Sequence, residues 1–171
     1  MSGIIGRDSL QGTGTIGQKS PTHLTYRRVE LAGAGTTGGD TLNLGGITFT
    51  EPGIWLVEIH LRFKHTEMDA YHRMALSTSS SAGDVFTEWR MIQEHISTGT
   101  NTFSNIGLNA NWLIDLPLGV TSQPIRGSFK SQNSGSGEGQ SNDSNGRPYM
   151  WAIKVKETRT SGSTPTEIRT A

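Results

Sequence analysis

Histidines, tryptophans and one glycine run are the residues of this chain whose types and spacing could do chemistry. His60 and His72 lie on segments of strand character that could be neighbours, and Glu58 stands two residues from His60 on the same strand face. Two imidazoles and a carboxylate would make a zinc donor set if register brought them together. That face also gathers Arg62, Lys64 and Arg73, and cations repel a metal, so solvated or ion-paired histidines are the expectation. Gly33-Ala34-Gly35-Thr36-Thr37-Gly38 matches G-x-G-x-x-G, a pattern that holds a pyrophosphate only where a helix opens inside it. Here the chain runs on through Gly45-Gly46 into a β-type segment, which predicts a plain glycine loop. Cysteine is absent, which removes thiol nucleophiles and thiolate metal sites. No G-x-S-x-G nucleophile elbow is present either. No catalytic residue, cofactor or metal is expected, and the chain reads as not an enzyme.

The four tryptophans have apolar rather than chemical roles in this reading. Trp55 and Trp151 share strand faces with aliphatic residues, which assigns both to the core. Trp89, between Glu88 and Arg90, is the one assigned to an interface. Asn142-Asp143-Ser144 fits the N-glycosylation pattern, here taken as chance.

Composition narrows the partners. Lysine plus arginine equals aspartate plus glutamate at 15 each, so charge draws the chain neither to nucleic acid nor to an anionic membrane. No apolar run reaches the roughly 20 residues of a membrane-spanning helix. Met1 to Asp8 has neither a basic start nor a long apolar middle, which predicts no secretory signal. With 171 residues, 22 glycines and 32% hydrophobic residues, one domain with many turns and exposed loops is expected.

The elements that must position these residues are strands. Trp55, Val57, Ile59, Leu61 and Phe63 alternate with Glu58, His60 and Arg62, a strand with one dry and one wet face, launched by Pro52-Gly53. Tyr149 to Val155 reads as a second half-buried strand, with Tyr149, Trp151, Ile153 and Val155 inward and Met150, Ala152 and Lys154 outward. Shorter strands are predicted over Leu44–Phe49, Tyr71–Thr78, Phe103–Leu108, Asn111–Leu116 and Ile125–Lys130. Val85–Ile96 mixes periods and stays open between strand and short helix. Ser131–Arg147, rich in Ser, Gly, Asn and Gln, predicts an exposed loop. Residues 1–21, where Ile4, Ile5 and Ile16 are set among glycines, read either as an extended arm that plugs into a partner or as a disordered tail, and the arm is the reading carried forward. The tail at 158–171 is polar, with Pro165 and a lone large aliphatic, Ile168. Short strands with frequent turns predict an all-β sandwich or jelly roll over residues 22–157.

That body resembles the globular-head family shared by tumour necrosis factor and the first complement component. Phe49 to Phe63 is similar to its long aromatic-bearing strand after a glycine, and Leu113-Ile114-Asp115-Leu116-Pro117-Leu118-Gly119 to the segment before its penultimate strand. Pro148-Tyr149-Met150-Trp151 stands where the family closes on F-x-G. The resemblance implies a single jelly roll that forms homotrimers. Separately, Ser2-Gly3-Ile4-Ile5-Gly6 with Gly12-Thr13-Gly14-Thr15-Ile16-Gly17 resembles N-termini of tailed-bacteriophage structural proteins. Together these imply a virion component assembled in the host cytoplasm: a capsid decoration or cement protein anchored to the shell by Ile4, Ile5 and Ile16. The alternatives are a tail-fibre or head-fibre knob that binds a host glycan or receptor, and a soluble carbohydrate-binding module.

Overall fold

The structure, a computed structural model, describes residues 25–31, 35–36, 41–65, 70–81, 83–95, 103–132, 137–139 and 148–169. Eleven strands follow one another: β1 (Tyr26–Glu30), β2 (Gly35–Thr36), β3 (Thr41–Phe49), β4 (Gly53–His65), β5 (Ala70–Ser77), β6 (Arg90–His95), β7 (Phe103–Leu116), β8 (Gln123–Gln132), β9 (Gly137–Gly139), β10 (Tyr149–Lys156) and β11 (Thr166–Glu167). They form two antiparallel sheets. The first has the order β1-β10-β4-β7-β11, with β9 beside the far end of β4 and β2 beside β9; the second has the order β3-β8-β5-β6.

This order is that of a chain folded double. Setting aside the short β2, β9 and β11, the first strand pairs with the last (β1 with β10), the second with the seventh (β3 with β8), the third with the sixth (β4 with β7), and the two middle strands with each other. The doubled ribbon then rolls so that β10 meets β4 and β8 meets β5. The result is a jelly roll, the sandwich predicted from the alternating strands.

Local chemistry explains the strand starts. Gly53 takes φ +151°, and a Cβ there would lie 2.4 Å from Cε of Lys154, so the residue after Pro52 must be small to let β4 enter beside β10. In β3 the register shifts between Asn43 and Gly46. There Gly45 has φ +80°, and its N–H donates to Oδ1 of Asn43.

The core lies between the sheets and is filled by Leu44, Phe49, Trp55, Val57, Ile59, Leu61, Met74, Leu76, Trp112, Ile114, Leu116, Ile125, Phe129 and Met150. Phe49 meets Trp55 edge to face, with ring centroids 4.8 Å apart. Trp55, Val57, Ile59 and Leu61 of the dry face predicted for β4 are buried, and the side chain of the fifth member, Phe63, lies outside the described residues; on β8, Ile125, Gly127 and Phe129 face inward.

Several expectations are corrected. On β10, Met150 and Ala152 face the core, while Tyr149, Trp151 and Ile153 lie half-buried on the outer face and Val155 is exposed, so the strand is turned over relative to its predicted orientation. Trp151 is therefore not a core residue. The reason is volume: Ala152 pairs with Val57 and Met150 with Ile59, in a core already filled by Trp55 and Trp112, and that space takes a small or flexible side chain but not an indole. His72 points inward and stacks on Phe129 with centroids 5.8 Å apart, so it is not solvated. Val85–Ile96 contributes a strand, β6, and the two strands predicted over 103–116 are one, β7. The glycine loop contributes β2, which pairs with β9 from within the predicted 131–147 loop.

Candidate functional site

The zinc donor set weighed and set aside in the sequence does not assemble: His60 is on the first sheet and His72 faces inward from the second, so the fold separates them. Among the described residues no group of three His, Asp or Glu side chains is placed to hold a metal. Ile4, Ile5 and Ile16, and with them the arm at 1–21, lie outside the described residues. Trp89 is half-buried, flanked by exposed Glu88 and Arg90.

What the fold does assemble is the outer face of the first sheet. Register places side chains of adjacent strands in rows across it. Tyr26 pairs with Ile153, Ile153 with Leu56 and Leu56 with Leu113; beyond them the Ile168 N–H donates to the Leu113 carbonyl at 2.8 Å. The row Tyr26–Ile153–Leu56–Leu113–Ile168 thus carries an apolar residue on each of β1, β10, β4 and β7 and one just past β11, over about 19 Å at the usual strand spacing. The next row is Arg28–Trp151–Glu58–Asn111 and the one after it Glu30–Tyr149–His60–Asn109.

Aromatic contacts knit the rows together. Tyr26 stacks beside Trp151 at 6.4 Å, and His60 lies over Tyr149 at 4.9 Å with an interplanar angle of 18°. The Arg28 guanidinium sits 4.7 Å from the Tyr149 ring centroid, a cation–π contact. Nδ1 of His60 donates to the side-chain oxygen of Asn109. Tyr26 is 56% exposed and Val155 49%, whereas Leu56, Leu113, Tyr149, Trp151, Ile153 and Ile168 are half-buried. A shallow groove of about 380 Å³ runs between Tyr26, Arg28, Tyr149, Trp151 and Ile153.

At the opposite edge a second groove, of about 360 Å³, is bounded by Leu56, Asn111, Leu113 and Ile168 on one side and by Glu88, Arg90, Glu167 and Arg169 on the other. The C-terminal segment builds much of it. Thr166 and Glu167 pair with Asp115 and Ile114, adding β11 to the sheet. The Glu167 carboxylate accepts from the Glu88 N–H at 2.8 Å and from Nη2 of Arg90 at 3.0 Å.

Sequence reasoning missed Tyr26, Leu56, Leu113, Ile153, Glu167 and Ile168. The signal that marks most of them is apolar character on both faces of one strand. β4 carries Ile54 and Leu56 opposite Trp55 and Val57, and β10 carries Trp151 and Ile153 opposite Met150 and Ala152. A strand that is wet on one side does not need the second set.

No protein-family model and no curated protein matches the chain. Its fold is similar to that of VP2 from the subviral particle of infectious bursal disease virus, at TM-score 0.43 and 12% identity, covering 86% of this chain and 40% of that one. It is also similar to Eiger, a tumour necrosis factor of S. frugiperda, at TM-score 0.42 and 7% identity, covering 80% of this chain and 99% of that one. Particles of T=1 type derived from infectious bursal virus give TM-score 0.41 and 13% identity over 86% of this chain. The chain spans about two fifths of the length of the bursal-virus chains that it matches.

Proposed function

We propose that this chain is a non-enzymatic structural protein of a bacteriophage virion that trimerises through the outer face of the β1-β10-β4-β7-β11 sheet. The observation that carries self-association is the apolar row from Tyr26 to Ile168, bordered by Trp151 and Tyr149. A contiguous apolar patch of this kind, rimmed by Arg28, Glu58 and Asn111, is the make-up of a protein interface, and closed cyclic symmetry covers it without leaving a growing edge. The virion assignment is supported by the arm, whose isoleucines among glycines resemble those of phage structural proteins. Within a particle the chain serves as a decoration or cement protein, with Ile4, Ile5 and Ile16 gripping the shell and Trp89 at the periphery of a contact. In a fibre knob the same arm would attach to the fibre.

Sedimentation equilibrium of the full chain tests the association: a trimer is expected at micromolar concentration, and Ile153→Arg, between Tyr26 and Leu56 in the row, is expected to give a folded monomer. A monomeric unmodified chain would overturn the reading. Gel densitometry of purified particles separates many copies, as a cement protein requires, from the few of a fibre.

A second reading rests on the Tyr26–Trp151 pair, since an exposed tyrosine and a half-buried tryptophan beside Arg28 and Glu58 can also stack on a sugar ring. Quenching of tryptophan fluorescence by oligosaccharides, lost in Trp151→Ala, would favour it.

A further inference from the structure

The outer face differs between its two ends. At the β1 edge Tyr26 is more than half exposed, its ring stacked beside Trp151. At the β11 edge there is a hollow of about 360 Å³ floored by Leu56 and Leu113. The hollow depends on the C-terminal strap, residues 158–169, which adds Ile168 to its apolar side and Glu167 and Arg169 to its polar wall.

The strap is held mainly by polar contacts. Leu118 N–H donates to the Thr160 carbonyl at 2.9 Å, and Gly119 N–H to the Gly162 carbonyl at 2.8 Å. The Thr160 hydroxyl donates to the Asp115 carboxylate. The Glu167 side chain is only 2% exposed, bonded to the Glu88 N–H and Arg90, and Arg169 closes over Glu88 at 2.5 Å and Glu167 at 3.6 Å. Pro165 is buried, and Ile168, whose N–H is bonded to Leu113, is left half-buried on the outer face. A strand held this way, with so little apolar burial of its own, presents its one large aliphatic to whatever covers the sheet.

We infer that the C-terminal strap builds a socket for Tyr26 of a second copy, with Leu56, Leu113 and Ile168 taking the ring while Asn111 and Arg90 border its hydroxyl. This rests on the self-association proposed above and names its two halves. Tyr26 and the socket lie at opposite ends of one row, about 19 Å apart at the usual strand spacing, so a copy cannot fill its own socket. Each copy therefore offers a knob on one edge and a socket on the other, a heterologous contact that closes into a ring when successive copies are turned by a third of a circle, as the proposed trimer requires. A phenol suits a hollow with an apolar floor and a polar wall. Glu167 is a positioning residue: it lies beneath the contact and holds the strap that supplies Ile168.

The test uses the full chain in sedimentation equilibrium. Tyr26→Ala and Ile168→Ser are each expected to weaken association about tenfold or more, as loss of an anchor does, and the double variant to be little weaker than either single one because the two share one contact. Glu167→Ala is expected to weaken association and, in the same samples, to raise hydrogen exchange at the Ile168 and Gly119 amides, with near-ultraviolet circular dichroism unchanged. Association that stays intact in Ile168→Ser and Glu167→Ala, or single effects that multiply in the double variant, would overturn the socket while leaving the trimer standing. A monomeric unmodified chain would instead sink the self-association reading itself.

Discussion

Trp151 and Ala152 are adjacent, and the smaller one is inside. Apolar surface area ranks the two the other way, because it scores a side chain without asking how much space its neighbours leave. Ile59 shows the same constraint from within: a Cβ on Gly127 would lie 2.7 Å from its Cδ1, so the two positions are fitted to each other. Ile59→Ala is expected to cost roughly 2 to 5 kcal/mol in urea unfolding, since a core packed this closely cannot collapse into the cavity. Trp151→Ala should behave differently. Under conditions where the chain is monomeric its unfolding midpoint should move much less than that of Ile59→Ala, while association should weaken; equal losses of stability would return Trp151 to the core. Residue type showed which positions are apolar, but not whether each one meets its own sheet partner or another molecule.

At the scale of elements, the strands that announce themselves in the sequence are those bounded by their own turn chemistry. β4 follows Pro52-Gly53, and β7 stops at Pro117-Leu118-Gly119; both ends were legible. The middle of β7 was not, because Asn109-Ala110-Asn111 looks like a break. It continues because those residues pair with His60, Ile59 and Glu58 at the centre of the sheet, and the neighbouring strand satisfies their backbone whatever their propensity. β11 was invisible for a related reason. Its seat is made by Asp115, Glu88 and Arg90, all distant in sequence, so local pattern contains only a polar tail with a proline. The bulge in β3 offers a test at this scale. A Cβ on Gly46 would lie 1.9 Å from the Ile125 carbonyl oxygen, so Gly46→Ala must push β3 away from β8. We expect a loss of about 1 to 3 kcal/mol, as in other overpacked sites, together with faster hydrogen exchange along β3; an unchanged unfolding midpoint would show that the bulge is pliable.

For the whole molecule, the doubled-ribbon topology leaves the first and last described segments on the same sheet: β1 and β10 are neighbours, and the strap returns to the far edge of that sheet. The proposed trimer would bring the starts of three chains into one assembly, each preceded by the arm that the sequence marks as an anchor. Ile4, Ile5, Leu10 and Ile16 are its large aliphatics, and each one fully buried in a partner contributes roughly 1.5 to 3 kcal/mol. Ordering the intervening glycines and polar residues costs about 1 to 2 kcal/mol per residue, so a single arm holds weakly. Three arms on one rigid body raise the effective concentration of the second and third once the first is seated, and a weak plug becomes a firm attachment. Deleting residues 1–19 is therefore expected to leave a folded, soluble trimer, because the jelly-roll core and the apolar row lie outside the deletion, yet to abolish incorporation into particles. Ile4→Asp combined with Ile5→Asp should do nearly the same, since a carboxylate cannot enter an apolar groove unpaired. Both are read by gel densitometry of purified particles against a trimer control; full occupancy by the truncated protein would move the attachment surface from the arm to the jelly roll.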